Sequence, residues 1–395
     1  MNKATQLGTK WFRLGVIATL LLSTLLTGCS QSKELKIGYG VEQTGQDAYV
    51  GQASIPALQD EIDKVNAAGG IGGYKLKLVV YDSRSQVTDA VAVTKRLIDQ
   101  DKVVAILGPD TSAMAIPIAD IADAAKVPVL ATTASNVNVT VSEAGVLHPY
   151  MFRVCFIDPY QGYAQADFAY NKLGKRKAAL LTDVASPYTV GIHGFFEKHF
   201  TELGGQIVAR EGYNGGDTEF RAQLAKIKDS GADLLVADAY TYKDFGLMAQ
   251  QAEALGLKIT FFGGDGVFVP ELLQMSGPQL EGSYVTTGVS ETMPEFASFN
   301  AEYTKKHPGV NANVYTYYAL DALLAVEYGI REAVKNGGQP TSTAIRDAIE
   351  HMTDVQLFTS KVTMEPDTHN PHNKPLLIMT IKNGQWETVE TFQPE

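Results

Sequence analysis

Cysteine, tryptophan and positive charge are all scarce in this chain of 395 residues. It has two cysteines, two tryptophans, and 33 lysines and arginines against 44 acidic residues. Two cysteines, Cys29 and Cys155, cannot build the disulfide framework of a small secreted scaffold. Nucleic acids and anionic membrane surfaces are bound by clustered basic side chains, which a net charge of −11 disfavours. We therefore expect no nucleic-acid partner.

Motifs of common catalytic and cofactor sites are also missing from the sequence. There is no Walker loop, no Gly-x-Ser-x-Gly elbow and no His-Glu-x-x-His zinc motif. Gly38-Tyr39-Gly40 lacks the third glycine of a dinucleotide-binding loop. His369 and His372 flank a proline, which favours a turn over a metal site. We expect no enzyme activity, no cofactor and no metal.

The first thirty residues have the pattern of an export signal. Three basic residues precede an apolar run over 14–26, which is shorter than the about 20 residues of a membrane-spanning helix. Leu26-Thr27-Gly28-Cys29 resembles a bacterial lipobox, in which the cysteine is acylated and begins the mature protein. We predict a signal peptide over 1–28 and a lipid-anchored tether over 29–34, with the protein on a bacterial cell surface or in the periplasm. The alternative is an ordinary signal peptide with an incidental cysteine.

Strand-like and helix-like segments alternate after this tether. Apolar segments rich in branched residues are separated by amphipathic ones, such as Gln86–Gln100, with apolar residues three or four apart. This alternation is typical of parallel sheets covered by helices, so we predict an α/β fold. The strand candidates are Leu35–Gly40, Leu76–Asp82, Val103–Gly108, Val127–Thr132, Phe152–Ile157, Ala178–Asp183, Leu234–Ala239, Ile259–Gly263, Tyr284–Val289 and Leu376–Ile381.

No Gly/Ser/Pro-rich linker divides the chain, although its length favours two domains. Two domains would then be joined by several short crossings, an arrangement that suits hinge closure around a cleft. Cys155 lies in a strand-like run and is expected to be a small buried residue. Tyr315–Tyr318 begins a helix and is expected in a core or an interface.

Six segments, in order, resemble the solute-binding proteins of branched-chain amino acid ABC transporters, the Leu/Ile/Val-binding family. They are Thr44–Gly51, Asn66–Gly73, Leu78–Ser83, Ile106–Ser112, Pro128–Ser135 and Gly263–Gly266. The resemblance implies a type I periplasmic binding protein, with two Rossmann-like lobes joined by three crossovers around a ligand cleft. The first lobe would comprise 35–157 and 288–373, and the second 158–287 and 374–395. The protein would capture an amino acid, branched-chain or similar, and deliver it to the permease of an ABC importer.

A free amino acid presents a carboxylate and an ammonium, and the resemblance assigns residues to the carboxylate first. Ser112, Thr133 and Ser135 would surround it, with Thr133 contributing mainly its backbone. The loop before a helix starting near Ala113 supports this role, because helix N-termini attract anions. The alternative for Ser112 is a simple helix N-cap. Asp110 would repel the ligand's carboxylate, so we expect it to cap the helix and point away.

The ammonium needs a carboxylate, and Asp265 in Gly263–Gly266 is the candidate. It follows a predicted strand, at the edge where open α/β sheets bind ligands, and its flanking glycines allow close approach. The family often has a glutamate here, and an Asp-Gly turn is the alternative interpretation. By the same resemblance, Tyr49, Tyr188 and Tyr240 map onto the pocket walls.

Other functions of the same fold stay open at this point. A sensory module would bind a ligand and signal to a partner instead of feeding a transporter. Amides, urea or other small carboxylates could take the place of the amino acid. A secreted α/β hydrolase is disfavoured, because no nucleophile motif is present.

Overall fold

The structure, a computed structural model, describes residues 33–372 and 374–392. Its first sheet has five parallel strands in the order β2-β1-β3-β4-β5. These strands are β1 (Lys33–Val41), β2 (Tyr74–Asp82), β3 (Ala105–Leu107), β4 (Val129–Ala131) and β5 (Met151–Arg153). The three short strands β3, β4 and β5 are completely buried, as expected of a parallel sheet covered on both faces.

The second sheet has seven strands in the order β14-β13-β10-β9-β8-β6-β7. Its first five strands along the chain are parallel, whereas β13 runs antiparallel to both β10 and β14. The remaining strands, with β11 and β12 forming a separate ribbon, are β6 (Lys177–Asp183), β7 (Gln206–Tyr213), β8 (Leu234–Val236), β9 (Thr260–Gly263), β10 (Tyr284–Thr287), β11 (Val355–Gln356), β12 (Lys361–Val362), β13 (Leu376–Lys382) and β14 (Gln385–Phe392).

Helices cover the two sheets. They are α1 (Ala48–Ala67), α2 (Val87–Arg96), α3 (Ser112–Ala115), α4 (Ala119–Ala125), α5 (Asp158–Asp167), α6 (Pro187–Glu202), α7 (Arg221–Ser230), α8 (Tyr242–Ala254), α9 (Pro270–Ser276), α10 (Ala297–Lys306), α11 (Val314–Val334) and α12 (Ser342–Glu350). The predicted α/β fold is confirmed. In the described part of the chain, no helix has the length and apolar character needed to span a bilayer.

The chain passes between the two sheets three times: after β5, after β10 and before β13. After the second passage, α11 packs against α1 and β3, so this part of the chain rejoins the first sheet. At the third passage, the buried ammonium of Lys374 lies 2.9 Å from the carboxylate of Asp321 on α11. Short passages of this kind permit hinge motion between two lobes. The lobe boundaries given above stay a prediction.

Candidate functional site

A small inner cavity lies between the lobes, beside the carboxyl ends of β3, β4 and β9. Five of the seven predicted ligand residues line it, and those five are Ser112, Thr133, Tyr188, Tyr240 and Asp265. The other residues on its wall are Asp110, Thr111, Gly266 and Tyr315. Residues more than 150 positions apart in the sequence therefore meet at one place. Open α/β sheets bring residues together in this way at the edge where they bind ligands.

The first lobe supplies hydroxyl groups to this cavity. Ser112 is the first residue of α3, and its Oγ accepts a hydrogen bond from the N–H of Asn136 at 3.1 Å. The N-cap of α3 is Thr111, whose Oγ1 accepts from the N–H of Met114 at 3.2 Å, so the N-cap interpretation of Ser112 is wrong. The Thr133 hydroxyl donates within its own lobe, to a backbone carbonyl 2.7 Å away. Ser112 therefore keeps its hydroxyl proton available for a ligand oxygen.

Asp110 does not cap the helix or point away, contrary to expectation. It lines the cavity and is 1% exposed, and its Oδ1 accepts the Thr132 hydroxyl at 2.5 Å. Its carboxyl is also hydrogen-bonded to that of Glu42, so one of these two acids holds a proton. Burial raises the pKa of Asp110 to about 6. The physical reason for the error is local, because the cap falls one residue later and leaves the Asp110 side chain free to turn towards β4.

Asp265 begins a single 3-10 turn directly after β9 and is 5% exposed. Its Oδ1 accepts two hydrogen bonds, from the Tyr188 hydroxyl at 2.9 Å and from the Gln161 side-chain amide at 3.1 Å. Burial raises its pKa to about 6, which these two hydrogen bonds oppose and the charge of Asp238 favours. A Cβ at Gly264 would collide with the Tyr188 hydroxyl, so glycine is required for this arrangement.

Tyrosines form much of the remaining wall. Tyr188 and Tyr240 stand edge to face with ring centroids 6.5 Å apart, and the Tyr240 hydroxyl has no partner in the described part of the chain. Tyr315 reaches the cavity from the start of α11, so the expectation that its cluster lies in a core or an interface, and not in a pocket, is wrong for this residue. Tyr49 lies behind Tyr315, with the two ring centroids 5.6 Å apart, and is not on the cavity wall.

Ser135 also lies behind the wall. It is fully buried, and its backbone carbonyl accepts a hydrogen bond from the N–H of Asp158 at 3.0 Å. Burial raises the pKa of Asp158 to about 8, and the Ser135 hydroxyl opposes that rise. Ser135 would reach a ligand only after a rearrangement of this wall. Its ligand role stays a prediction, like that of the other site residues.

A second, larger outer cavity of about 230 Å³ adjoins the first and shares Thr111, Ser112, Tyr188 and Tyr240 with it. Its acidic residues are Asp47 from the first lobe and Asp183 and Asp244 from the second. Sequence reasoning missed all three, together with Gln161. The only available signal was the position of Asp47 inside the segment that resembles the first ligand loop.

The two histidines weighed for a metal have other contacts. His369 stacks on Phe152, with centroids 4.0 Å apart, and contacts Glu350 through Nε2 at 3.2 Å, while His372 contacts Glu365. A separate group, formed by Asp120, Asp123 and His148, has the spacing to hold a metal ion but lies apart from both cavities. Exposed acidic groups of this kind are common without a metal.

The family model described as periplasmic binding protein matches residues 34–385. An amino acid binding protein of Pseudomonas aeruginosa is 32% identical over 281 residues, which are 71% of this chain and 74% of that protein. The Leu/Ile/Val-binding protein homolog 1 of Brucella suis is 28% identical, covering 83% of this chain and 86% of its own. Among solved structures, the branched-chain amino acid transporter substrate-binding protein LivJ of Streptococcus pneumoniae, in complex with isoleucine, has a TM-score of 0.82 and 30% identity, covering 92% of this chain and all of its own.

The chain therefore belongs to the periplasmic binding protein family, and its resemblance to the Leu/Ile/Val-binding, type I members is confirmed. Members of this family are receptors that bind solutes outside the cytoplasm, and they are not enzymes. The cavity between the two lobes is the place in this fold where a solute would lie.

Proposed function

We propose that the protein captures a free amino acid, branched-chain or of similar size, and delivers it to the permease of an ABC importer. The observation that carries the proposal is the pairing of Asp265 with Ser112 across one small cavity. Asp265 offers a carboxylate from the second lobe, and Ser112 a hydroxyl from the first. An amino acid has one cationic and one anionic group, and this pair meets both.

The cavity is lined from both lobes, by Ser112 and Thr133 of the first and by Tyr188, Tyr240 and Asp265 of the second. Because the ligand would touch both lobes, its binding favours the closed arrangement by its differential affinity.

We also propose that acylated Cys29 anchors the protein to the outer face of a bacterial membrane. Cys29 and the predicted signal peptide lie outside the described residues, so this proposal rests on the lipobox-like sequence alone. A tethered receptor stays close to its permease, which suits delivery. We further propose that the two lobes, with the limits predicted from the sequence, move as rigid units when the cleft closes.

A thermal-shift screen tests the binding function. The twenty amino acids, urea, small amides and small carboxylates are each added to the purified protein, and the binders are titrated by calorimetry. An amino acid should raise the melting temperature in proportion to RT ln(1 + [L]/Kd), while urea and simple carboxylates should not. A specific rise with an amide or with a carboxylate lacking an amine would contradict the proposal.

Uptake measurements separate transport from sensing. A strain lacking this protein should lose uptake of the amino acid found in the screen and regain it on complementation. Normal uptake in the deletion strain, together with tight binding in vitro, would favour the sensory module.

A further inference from the structure

Acidic side chains line both cavities, and no lysine, arginine or histidine in the described ranges does so. Asp110 and Asp265 lie in the inner cavity, and Asp47, Asp183 and Asp244 in the outer one. A zwitterion has a single positive group, and Asp265 alone is enough to meet it. The other carboxyls therefore need a separate explanation.

Two of these acids, Asp47 and Asp110, form a group within the first lobe together with Glu42, which lines neither cavity, and we name this group the acidic trio. Glu42 lies just after β1, where Val41 ends the strand; burial raises its pKa well above the usual value, and the charges of Asp110 and Asp47 raise it further. The trio residues are 0%, 2% and 1% exposed, respectively. Such burial of neighbouring acids is costly unless a proton or a cation compensates their charge.

Glu42 and Asp110 share a hydrogen bond between their carboxyl groups, which requires that one of them holds a proton. Oδ1 of Asp47, by contrast, is buried and finds no hydrogen-bond partner among the described residues. Buried polar atoms nearly always have partners, so this oxygen indicates a place for a donor that comes from outside the chain. Asp110 lines the inner cavity and Asp47 the outer one, so a ligand can reach the trio from either.

Lys243, the cation that acts on Asp47, does not fill this place. Burial raises the pKa of Asp47 to about 6 and Lys243 opposes that rise, but its ammonium donates to the backbone carbonyl of Gln46 at 3.1 Å, at an exposed position. Lys243 is not on the wall of either cavity. Asp47 and Asp110 therefore line the cleft without a cation of the described residues beside them on its walls.

Tyrosines next to the trio add a second feature that favours cations. Tyr240 lines both cavities, and its hydroxyl has a pKa raised first by burial and then by the nearby charges of Glu42 and Asp47. Tyr315 lines the inner cavity as well. Aromatic faces attract ammonium and guanidinium groups, and the attraction grows when the pair is shielded from water.

We propose that the acidic trio, with Tyr240, is a subsite for a second positive group of the ligand, so that the cleft takes an amino acid with a basic side chain in preference to a neutral one. This inference rests on the proposed function, in which Asp265 holds the α-ammonium. The side-chain cation lies against Asp110 and Asp47, and there it also cancels the repulsion between Asp110 and the carboxylate at Ser112.

Matched pairs of ligands test this subsite by calorimetry. Lysine is compared with norleucine, which has a similar chain without the ammonium, and arginine with citrulline. Each basic member should bind about tenfold more tightly than its neutral partner, or better, as one charge-assisted hydrogen bond provides. Equal or tighter binding of norleucine and citrulline overturns the inference but leaves the proposed function standing. If no amino acid binds at all, both fail.

A variant assigns the preference to the trio. Asp110→Asn keeps the size of the side chain and an oxygen for the Thr132 hydroxyl while removing the charge. The lysine-to-norleucine affinity ratio should fall about tenfold in this variant. Asp120→Asn, at a fully exposed acid on α4, is the matched control and should leave the ratio unchanged. The melting temperature of the Asp110→Asn variant without ligand shows whether this variant is folded. If it is folded and the affinity ratio is unchanged, the assignment to the trio is overturned.

Discussion

Replacing Asp265 by asparagine should change ligand affinity and stability in opposite directions. The variant keeps an oxygen for the Tyr188 and Gln161 donors, 2.9 and 3.1 Å away, but has no charge for the ligand's ammonium. A charge-assisted hydrogen bond contributes about 1.5–3 kcal/mol, so Kd should rise about ten- to a hundredfold. Isothermal calorimetry with the amino acid found in the screen measures this change.

The stability of the empty protein should rise in the same variant. The pKa of Asp265 is raised from 3.8 to about 6 by burial, so the folded state holds a proton that the unfolded state releases earlier. The resulting penalty is absent below about pH 4, builds up as the pH rises towards 6, and amounts to about 3 kcal/mol at pH 7. Asparagine removes the penalty, and the gain in denaturant midpoint should be larger at pH 7 than at pH 4.5.

The control for both measurements is Asp229→Asn on the exposed face of α7, which should alter neither the ligand affinity nor the pH dependence of the stability. An unchanged Kd in Asp265→Asn would remove Asp265 from the ligand site. Lower affinity combined with lower stability at every pH would show that the loss comes from a damaged fold and not from a missing charge.

Three further results are expected. Cys29→Ser should move the protein from the membrane to the soluble fraction of lysed cells, and a variant that stays with the membranes contradicts the lipid anchor. Gly264→Ala should displace the Tyr188 hydroxyl and cost about 1–3 kcal/mol of stability by overpacking, with weaker binding in calorimetry; native affinity and stability would refute the close approach. X-ray scattering of the empty protein should show a smaller radius of gyration at pH 5.5 than at pH 8. Asp47 and Asp244 line the outer cavity from opposite lobes with pKa values of about 6 and 7, so they repel each other only at the higher pH. A radius that does not change with pH would contradict repulsion between the lobes.

Strands with a continuous apolar sequence could be predicted, and the two mostly exposed edge strands of the second sheet could not. All ten strand candidates overlap strands of the structure, although β3, β4, β5 and β8 have only three residues each. β7 and β14 were missed, and each pairs on one side only. Their residues are mostly exposed or half-buried, so their sequences lack the apolar run that indicates a buried strand.

Residues of the candidate site could be predicted where a motif aligned with the family, as for Ser112 and Asp265. Asp110 lies in the same segment as Ser112, but the direction of its side chain depends on where α3 begins and on Thr132 in the next strand, and no local pattern encodes either. Tyr315 reaches the cavity only because α11 packs on the first lobe. Contacts of this kind depend on the tertiary arrangement and are not readable from spacing.

Charge in the cleft links ligand binding to closure of the lobes. The pKa of Asp244 is raised to about 7 first by burial and then by the charges of Asp183 and Asp47, which come from both sides of the cleft. The lobes also touch directly, through the Asn136 amide that donates to the carbonyl of Pro187 at 2.8 Å. Closing an empty cleft therefore brings like charges together in a site shielded from water, where their repulsion is strongest. A bound cation offsets that repulsion only in the closed state, and such a difference in affinity between states is what allows a ligand to shift the equilibrium towards closure.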